Sequence, residues 1–151
     1  MTLRVYDTRS REKREFSPIN EGRVSMYVCG ITPYSPSHLG HARCYLAFDV
    51  VHRWLEASGY KVDYVQNFTD IDDKILNISE SEGVDYSVVS NRNIEDYFEV
   101  MDAMNVRRAD HYPRVTETIP EIIDMISNLQ EKGHAYVGGD GVYFEIDTAP
   151  E

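Results

Sequence analysis

The chain has 151 residues, 42% of them hydrophobic, with 26 acidic against 15 basic side chains and a formal net charge of −11. That apolar share supports a folded core of one domain or slightly more and excludes global disorder. The carboxylate excess excludes this segment as the main grip on a nucleic-acid backbone; the only two cysteines, Cys29 and Cys44, are too few for a disulfide scaffold, and no apolar run approaches the ~20 residues a membrane span needs. A soluble chain of the reduced cytoplasm is the expectation.

Residues 3–6 alternate as a short strand, and the charged run 8–15 reads as a turn or exposed loop. Residues 23–29 are strand-like, with Val24, Met26 and Val28 on one face. From Ser37 the period lengthens: Leu39, Ala42, Leu46, Val50 and Trp54 recur every three or four residues. That predicts a helix with this apolar stripe, capped by Ser37 and stopped near Gly59. Residues 61–66 read as a second strand, so strand, helix and strand make a βαβ unit with a right-handed crossover and parallel strands. The helix N-terminus then lies at the strands' carboxyl ends, where open α/β sheets bind ligands.

A short helix follows Asp72 to about Glu82 and breaks at Gly83. A longer one spans 87–105, with Ile94, Tyr97, Phe98, Met101 and Met104 on one stripe. A third covers 118–132; Thr118-Ile119-Pro120-Glu121 combines a capping box with a first-turn proline, and Ile119, Ile122, Ile123, Ile126 and Leu129 form its expected buried face. Residues 135–137 and 142–146 flank Gly138-Gly139-Asp140-Gly141, a hairpin signal. The end at Ala149-Pro150-Glu151, soon after a strand, reads as truncated. The fold class is therefore α/β: a parallel βαβ unit, then helices and a terminal β-hairpin.

The chemistry gathers at the first strand's end. Cys29 and Gly30 close the strand, a Pro/Ser turn follows, and the helix opens with His38-Leu39-Gly40-His41. A helix N-terminus attracts anions, Gly40 lets a base or ribose approach, and two imidazoles can donate to phosphate oxygens as charge builds. The same residues also fit a plain capped turn. Cys29 fits an inert core thiol or one ligand of a zinc site; Cys44 fits a packed core residue. His52 and Glu56 have i,i+4 ligand spacing, but most of a helix about 21 Å long separates them from Cys29, and a solvated face explains them. After the second strand, Thr69 and Asp70 are placed to bind an amine or hydroxyl, with Asp72 and Asp73 as helix N-cap and first-turn charges. That acidic run lacks the glycine and glutamate of an EF-hand loop.

In order and spacing, MYVCGIT (26–32), HLGHAR (38–43), AFDVV (47–51), YVQNFTDIDDKI (64–75), YPRVT (112–116) and KGHAY (132–136) resemble the cysteinyl-tRNA synthetases, class I aminoacyl-tRNA synthetases. The resemblance implies the first half of a class I Rossmann-type nucleotide-binding fold over 1–85 and the start of the connecting insertion over 86–151. It implies ATP binding by Ile31, Thr32, His38, Gly40 and His41, with His38 and His41 catalytic. Gly30, Thr32 and Thr69 would line the amino-acid pocket, and Cys29 would be one of four zinc ligands. ATP with Mg2+, Zn2+, L-cysteine and tRNA(Cys) are the implied cofactors and partners. The implied reaction joins cysteine to ATP as cysteinyl-adenylate, releases pyrophosphate and transfers cysteine to the tRNA 3′ end.

The family's Lys-Met-Ser-Lys-Ser loop has no counterpart among Lys13, Lys61, Lys74 and Lys132. On the resemblance, that loop, three zinc ligands, the second Rossmann half and the anticodon-binding domain would lie beyond Glu151, and this segment alone would be nearly inactive. Pro33 and Ser35 depart from the aliphatic residue and the acid usual in the synthetases. Thr32-Pro33-Tyr34 looks more like the related ligase that joins cysteine to a glucosaminyl-inositol in mycothiol synthesis, whereas Ala42-Arg43 and Asp72-Asp73-Lys74 follow the synthetases. A non-catalytic binding module is the alternative of another class.

Overall fold

Val24, Met26 and Val28 alternate with Arg23, Ser25 and Tyr27, which suits an extended strand with one face toward a core. In the computed structural model, which describes residues 3–149, that strand is the third in the chain. The strands are β1 (Arg4–Asp7), β2 (Glu12–Glu15), β3 (Arg23–Val28), β4 (Lys61–Gln66), β5 (Ala135–Val137) and β6 (Val142–Phe144). The helices are α1 (Leu39–Ala57), α2 (Asp73–Glu82), α3 (Tyr86–Ala103) and α4 (Ile119–Glu131).

β3 and β4 pair in parallel, from Arg23 opposite Lys61 to Val28 opposite Gln66, with α1 as the crossover. The expected βαβ unit is therefore present. Segment 110–115 runs along the far side of β4: Gln66 N–H donates to His111 O (3.0 Å), Phe68 N–H to Pro113 O (2.9 Å) and Val115 N–H to Phe68 O (3.2 Å). Among the described residues, no strand pairs with the outer edge of β3. The core joins Val28, Ile31, Tyr45, Tyr64 and Phe68 to Ile94, Tyr97 and Met101 of α3. A buried polar relay crosses it: Tyr64 hydroxyl donates to Gln66 Oε1 (3.1 Å), and Gln66 Nε2 donates to the Tyr97 hydroxyl (2.6 Å).

Several expectations change. The charged run 8–15 is not all loop: Glu12–Glu15 pairs antiparallel with Arg4–Asp7. The Asp7 carboxylate closes the turn by accepting from Arg9 N–H and the Ser10 hydroxyl, and Arg11 takes φ 57°. With every β2 side chain exposed and charged, no apolar alternation marks the strand.

The apolar stripe of α1 does not face the sheet. Leu39, Leu46, Val50 and Trp54 are exposed, and the sheet side is Tyr45, Asp49, His52 and Leu55. Asp49 is fully engaged, whereas His52 is paired through Nε2 alone, its Nδ1 being buried without a partner among the described residues. Asp49 accepts from Arg53 Nε (2.7 Å) and Arg107 N–H (3.1 Å); His52 Nε2 lies 3.4 Å from Glu56, and its ring meets Tyr64 edge-on. His52 is therefore core rather than solvated face, and Cys44 is exposed rather than packed.

α2 has the expected cap, Asp72 accepting from Lys74 N–H (2.9 Å), and ends at left-handed Gly83. In α3 the Ile94, Tyr97 and Met101 stripe is buried as expected. α4 departs from expectation. Thr118 makes no side-chain cap, because its hydroxyl donates back to Arg114 O (3.1 Å) and Val115 O (3.2 Å). Ile119, Ile122 and Ile123 stay exposed, since α4 packs mainly on the small β5–β6 hairpin.

At the ends of β3 and β4 the two backbones touch. A Cβ built on Gly30 would lie 1.5 Å from the Asn67 carbonyl oxygen. Gly30→Ala should therefore destabilise the protein by about 2–3 kcal/mol, the cost of overpacking against backbone that cannot rotate away. Urea titration measures this, and a loss under about 0.5 kcal/mol would mean the two strand ends part freely.

Candidate nucleotide and amino-acid site

Parallel strands that end together release their loops on one edge. Cys29–Tyr34 leaves β3 and Asn67–Asp72 leaves β4; two hydrogen bonds join these loops and a third contact braces the second loop internally. Gly30 N–H donates to Asn67 Oδ1 (2.8 Å), Asn67 Nδ2 faces Thr69 Oγ1 (3.5 Å), and Thr69 N–H donates to Ile31 O (3.0 Å). Gly30, Ile31 and Thr69 are thus brought together at the strand ends. The Ile31 side chain lies in the core, so the site receives its backbone only. The Cys29 thiol is exposed, which sets aside the inert-core reading, and its carbonyl accepts from the Tyr45 hydroxyl (3.2 Å). Burial pushes the Tyr45 phenol well above its ordinary value, so it stays a donor.

The rest of the loop is pinned to α3. Asn93, itself buried, donates to Pro33 O (3.1 Å) and Val89 O (2.9 Å), and Asp96 accepts from Ser37 N–H (2.7 Å). Ser37 is therefore held by α3 and is not the cap of α1; its own Oγ is buried without a partner among the described residues.

His38 is the cap. Its Nδ1 accepts from Gly40 N–H (3.1 Å) and His41 N–H (3.4 Å), while His41 Nδ1 accepts from His38 N–H (3.4 Å), a capping box built from two imidazoles. The rings stack with centroids 3.8 Å apart and planes 14° from parallel. A nitrogen that accepts carries no proton, so the cap uses each ring in the tautomer that has its proton on Nε2. Burial, followed by the neighbouring His38, holds the His41 pKa below its ordinary 6.5. The expected space above Gly40 is partly used by the cap: a Cβ there would come within 2.9 Å of the His38 ring.

Asp70 does not line the crevice as expected. It is buried and accepts from Thr116 N–H (3.1 Å) and the Thr116 hydroxyl (2.6 Å), latching segment 110–115 to the sheet. Thr69 remains half-buried at the edge. Among the described residues, no group of three His, Cys, Asp or Glu side chains could hold a metal ion, so Cys29 is a single donor. His111 lies near Asp63 (3.7 Å) and His134 bonds Thr148 (2.8 Å), both away from the crevice. Sequence reasoning singled out neither Asn67 as a contact residue nor Asn93 and Asp96 at all. Asn67 carried a signal, since it follows β4 inside a polar run; the other two act across about sixty residues and carried none.

A family model described as the catalytic domain of class I (C) tRNA synthetases matches residues 15–151. A cysteine–tRNA ligase of Pyrococcus horikoshii is 54% identical over 151 residues, covering 100% of this chain and 32% of that protein. One of Dehalococcoides mccartyi is 48% identical over 144 residues, covering 95% of this chain and 31% of its own length. The chain spans about a third of the length of the curated relatives it matches. A structure of Mycobacterium tuberculosis methionyl-tRNA synthetase in complex with methionyl-adenylate shares the fold at a TM-score of 0.68 and 20% identity, covering 76% of this chain and 23% of that one. An α/β fold with a parallel strand pair of this kind, matched by the family model over nearly its whole length, establishes that the chain belongs to the class I cysteinyl-tRNA synthetase catalytic-domain family.

Proposed function

We propose that this chain forms part of the site where a cysteine–tRNA ligase activates L-cysteine with ATP and passes it to tRNA(Cys). The observation that carries the reading is the pair of stacked imidazoles that cap the α1 N-terminus through their Nδ1 atoms, on the crossover that leaves the carboxyl end of β3. In this reading the cysteine carboxylate attacks the α-phosphorus of ATP. A carboxylate–phosphorus bond forms as the bond to the leaving pyrophosphate breaks, and the lost electron pair leaves with pyrophosphate. Such a displacement needs positioning and charge stabilisation more than covalent help. His38 and His41 donate from Nε2 to oxygens that gain charge, and the helix end adds its own positive potential. The backbone of Ile31 and Thr32, with Gly40, holds the nucleotide. Gly30, Thr32 and Thr69 receive the amino acid, and Mg2+ accompanies ATP.

Cys29 supplies one thiolate to a zinc ion whose other donors come from outside the described residues. Zinc when bound would favour a thiol over a hydroxyl substrate. For domain organisation, we place α3 with the nucleotide-binding half, because Ile94, Tyr97 and Met101 share its core, and begin the insertion after it rather than at residue 86. The remaining catalytic parts, a lysine loop included, are assigned to sequence beyond this chain. The cytoplasmic placement rests on two cysteines that remain free thiols.

Cysteine-dependent exchange of pyrophosphate into ATP by the whole encoded polypeptide tests the reading. His41→Ala should slow it about 10²-fold, as for a lost charge-stabilising donor, with little change in the KM for cysteine. Unchanged exchange would remove His41 from the chemistry.

The histidine cap makes stability pH-dependent. The folded state takes up a proton at His41 less readily than the unfolded chain, so the cap contributes fully above the ordinary 6.5. Its contribution is lost as pH falls from there through the lower folded value. Tm measured from pH 8 to pH 5 should drop, and His41→Gln should flatten the drop; parallel curves would exclude the cap as its source.

Metal analysis of the same polypeptide should show bound zinc that Cys29→Ser removes. Equal zinc in both would take Cys29 out of the ligand set.

A further inference from the structure

The Cys29–Gly30 peptide is held at both ends by side chains. Its carbonyl accepts from the Tyr45 hydroxyl (3.2 Å) of α1, and its N–H donates to Asn67 Oδ1 (2.8 Å) beyond β4. Because that N–H can only donate, the Asn67 oxygen must face it, which turns Nδ2 toward Thr69 Oγ1 (3.5 Å). One primary amide of the β4 loop thus reaches across to the β3 loop with its oxygen and meets Thr69 of its own loop with its nitrogen. The Asn67 carbonyl also lies against Gly30, leaving no room for a Cβ. Rotation of this peptide would redirect the Cys29 side chain on one side and the Gly30 to Thr32 backbone on the other.

We propose that Asn67 is a positioning residue, fixing the Cys29–Gly30 peptide and the Thr69 hydroxyl relative to one another and so setting the geometry of the amino-acid end of the site. The clamp follows from the contacts; its consequence for cysteine rests on the function proposed above. A serine or threonine is too short to meet Gly30 and Thr69 at once from this position, and a leucine fills the space without the polar contacts. Tyr45 contributes the second, longer contact, so its removal should matter less.

Two measurements test this. In the first, amide hydrogen exchange is followed at Gly30, with Lys61 (bonded to Gly22 O) and Phe68 (bonded to Pro113 O) as internal controls. Asn67→Ala should speed Gly30 exchange roughly tenfold, the weight of one lost hydrogen bond, with both controls unchanged. Asn67→Asp keeps an acceptor and should restore protection, and Tyr45→Phe should have a smaller effect. Equal acceleration at all three amides would mean that Asn67 only holds the fold, and no acceleration at Gly30 would mean that there is no clamp. Either result overturns the proposal. In the second, pyrophosphate exchange by the whole polypeptide should show Asn67→Ala raising the KM for cysteine roughly tenfold without raising that for ATP. An unchanged KM for cysteine in an enzyme that activates cysteine overturns the positioning role. Failure of the unaltered protein to activate cysteine overturns the functional reading instead, and the amide exchange then decides the clamp alone.

Discussion

Gln66 lies at the end of β4, 2% exposed, with its amide between the hydroxyls of Tyr64 and Tyr97. An unpaired amide in that position would cost a few kcal/mol, so the relay holds only when β4 and α3 meet in one register. Val28 sits opposite Gln66 in the parallel pair, which fixes β3 as well. A one-residue slip would turn every β3 side chain to the wrong face. Cys29, Gly30 and Asn67 follow directly from these two residues, so the register set in the core determines what stands at the crevice.

The phosphate chemistry proposed for this edge draws little from cationic side chains. Arg53, Arg92, Arg107 and Arg108 are each engaged by a carboxylate, of Asp49, Glu82, Glu56 and Asp102 respectively, and the Lys74 ammonium lies over the Tyr34 ring. In a chain with net charge −11, attraction for a polyanion falls to local dipoles. The α1 N-terminus supplies them. Its capping box fixes both imidazoles through their Nδ1 atoms and stacks the two rings.

Much of this was legible from residue order. The alternation in β3, Gly83 and the stripe of α3 each have a local cause and a local signature. The face of α1 was not legible, because the residues it buries include Asp49 and His52, whose burial is tolerable only through Arg53, Arg107 and Glu56. Periodicity weighs hydrophobicity and so selected the neighbouring stripe. Ser37 has the usual composition of a cap, yet Asp96 draws its N–H away and His38 takes the role one residue later. Asp70 looked like a ligand for the crevice until Thr116 claimed both of its oxygens. Each of these depends on a partner distant in sequence or on a competing bond. The ordered motifs identified the family, and the contacts show which of their residues face each other.

The edges of β2 and β3 differ in kind. β2 presents Glu12, Lys13, Arg14 and Glu15, a row of exposed charges that discourages a further strand. β3 presents backbone between Arg23 and Val28 with one charged side chain, flanked by the exposed ring of Tyr27. Of these two, β3 is the edge open to intermolecular strand addition. A second chain added there would lie alongside the strand that leads into the candidate site at Cys29 and Gly30.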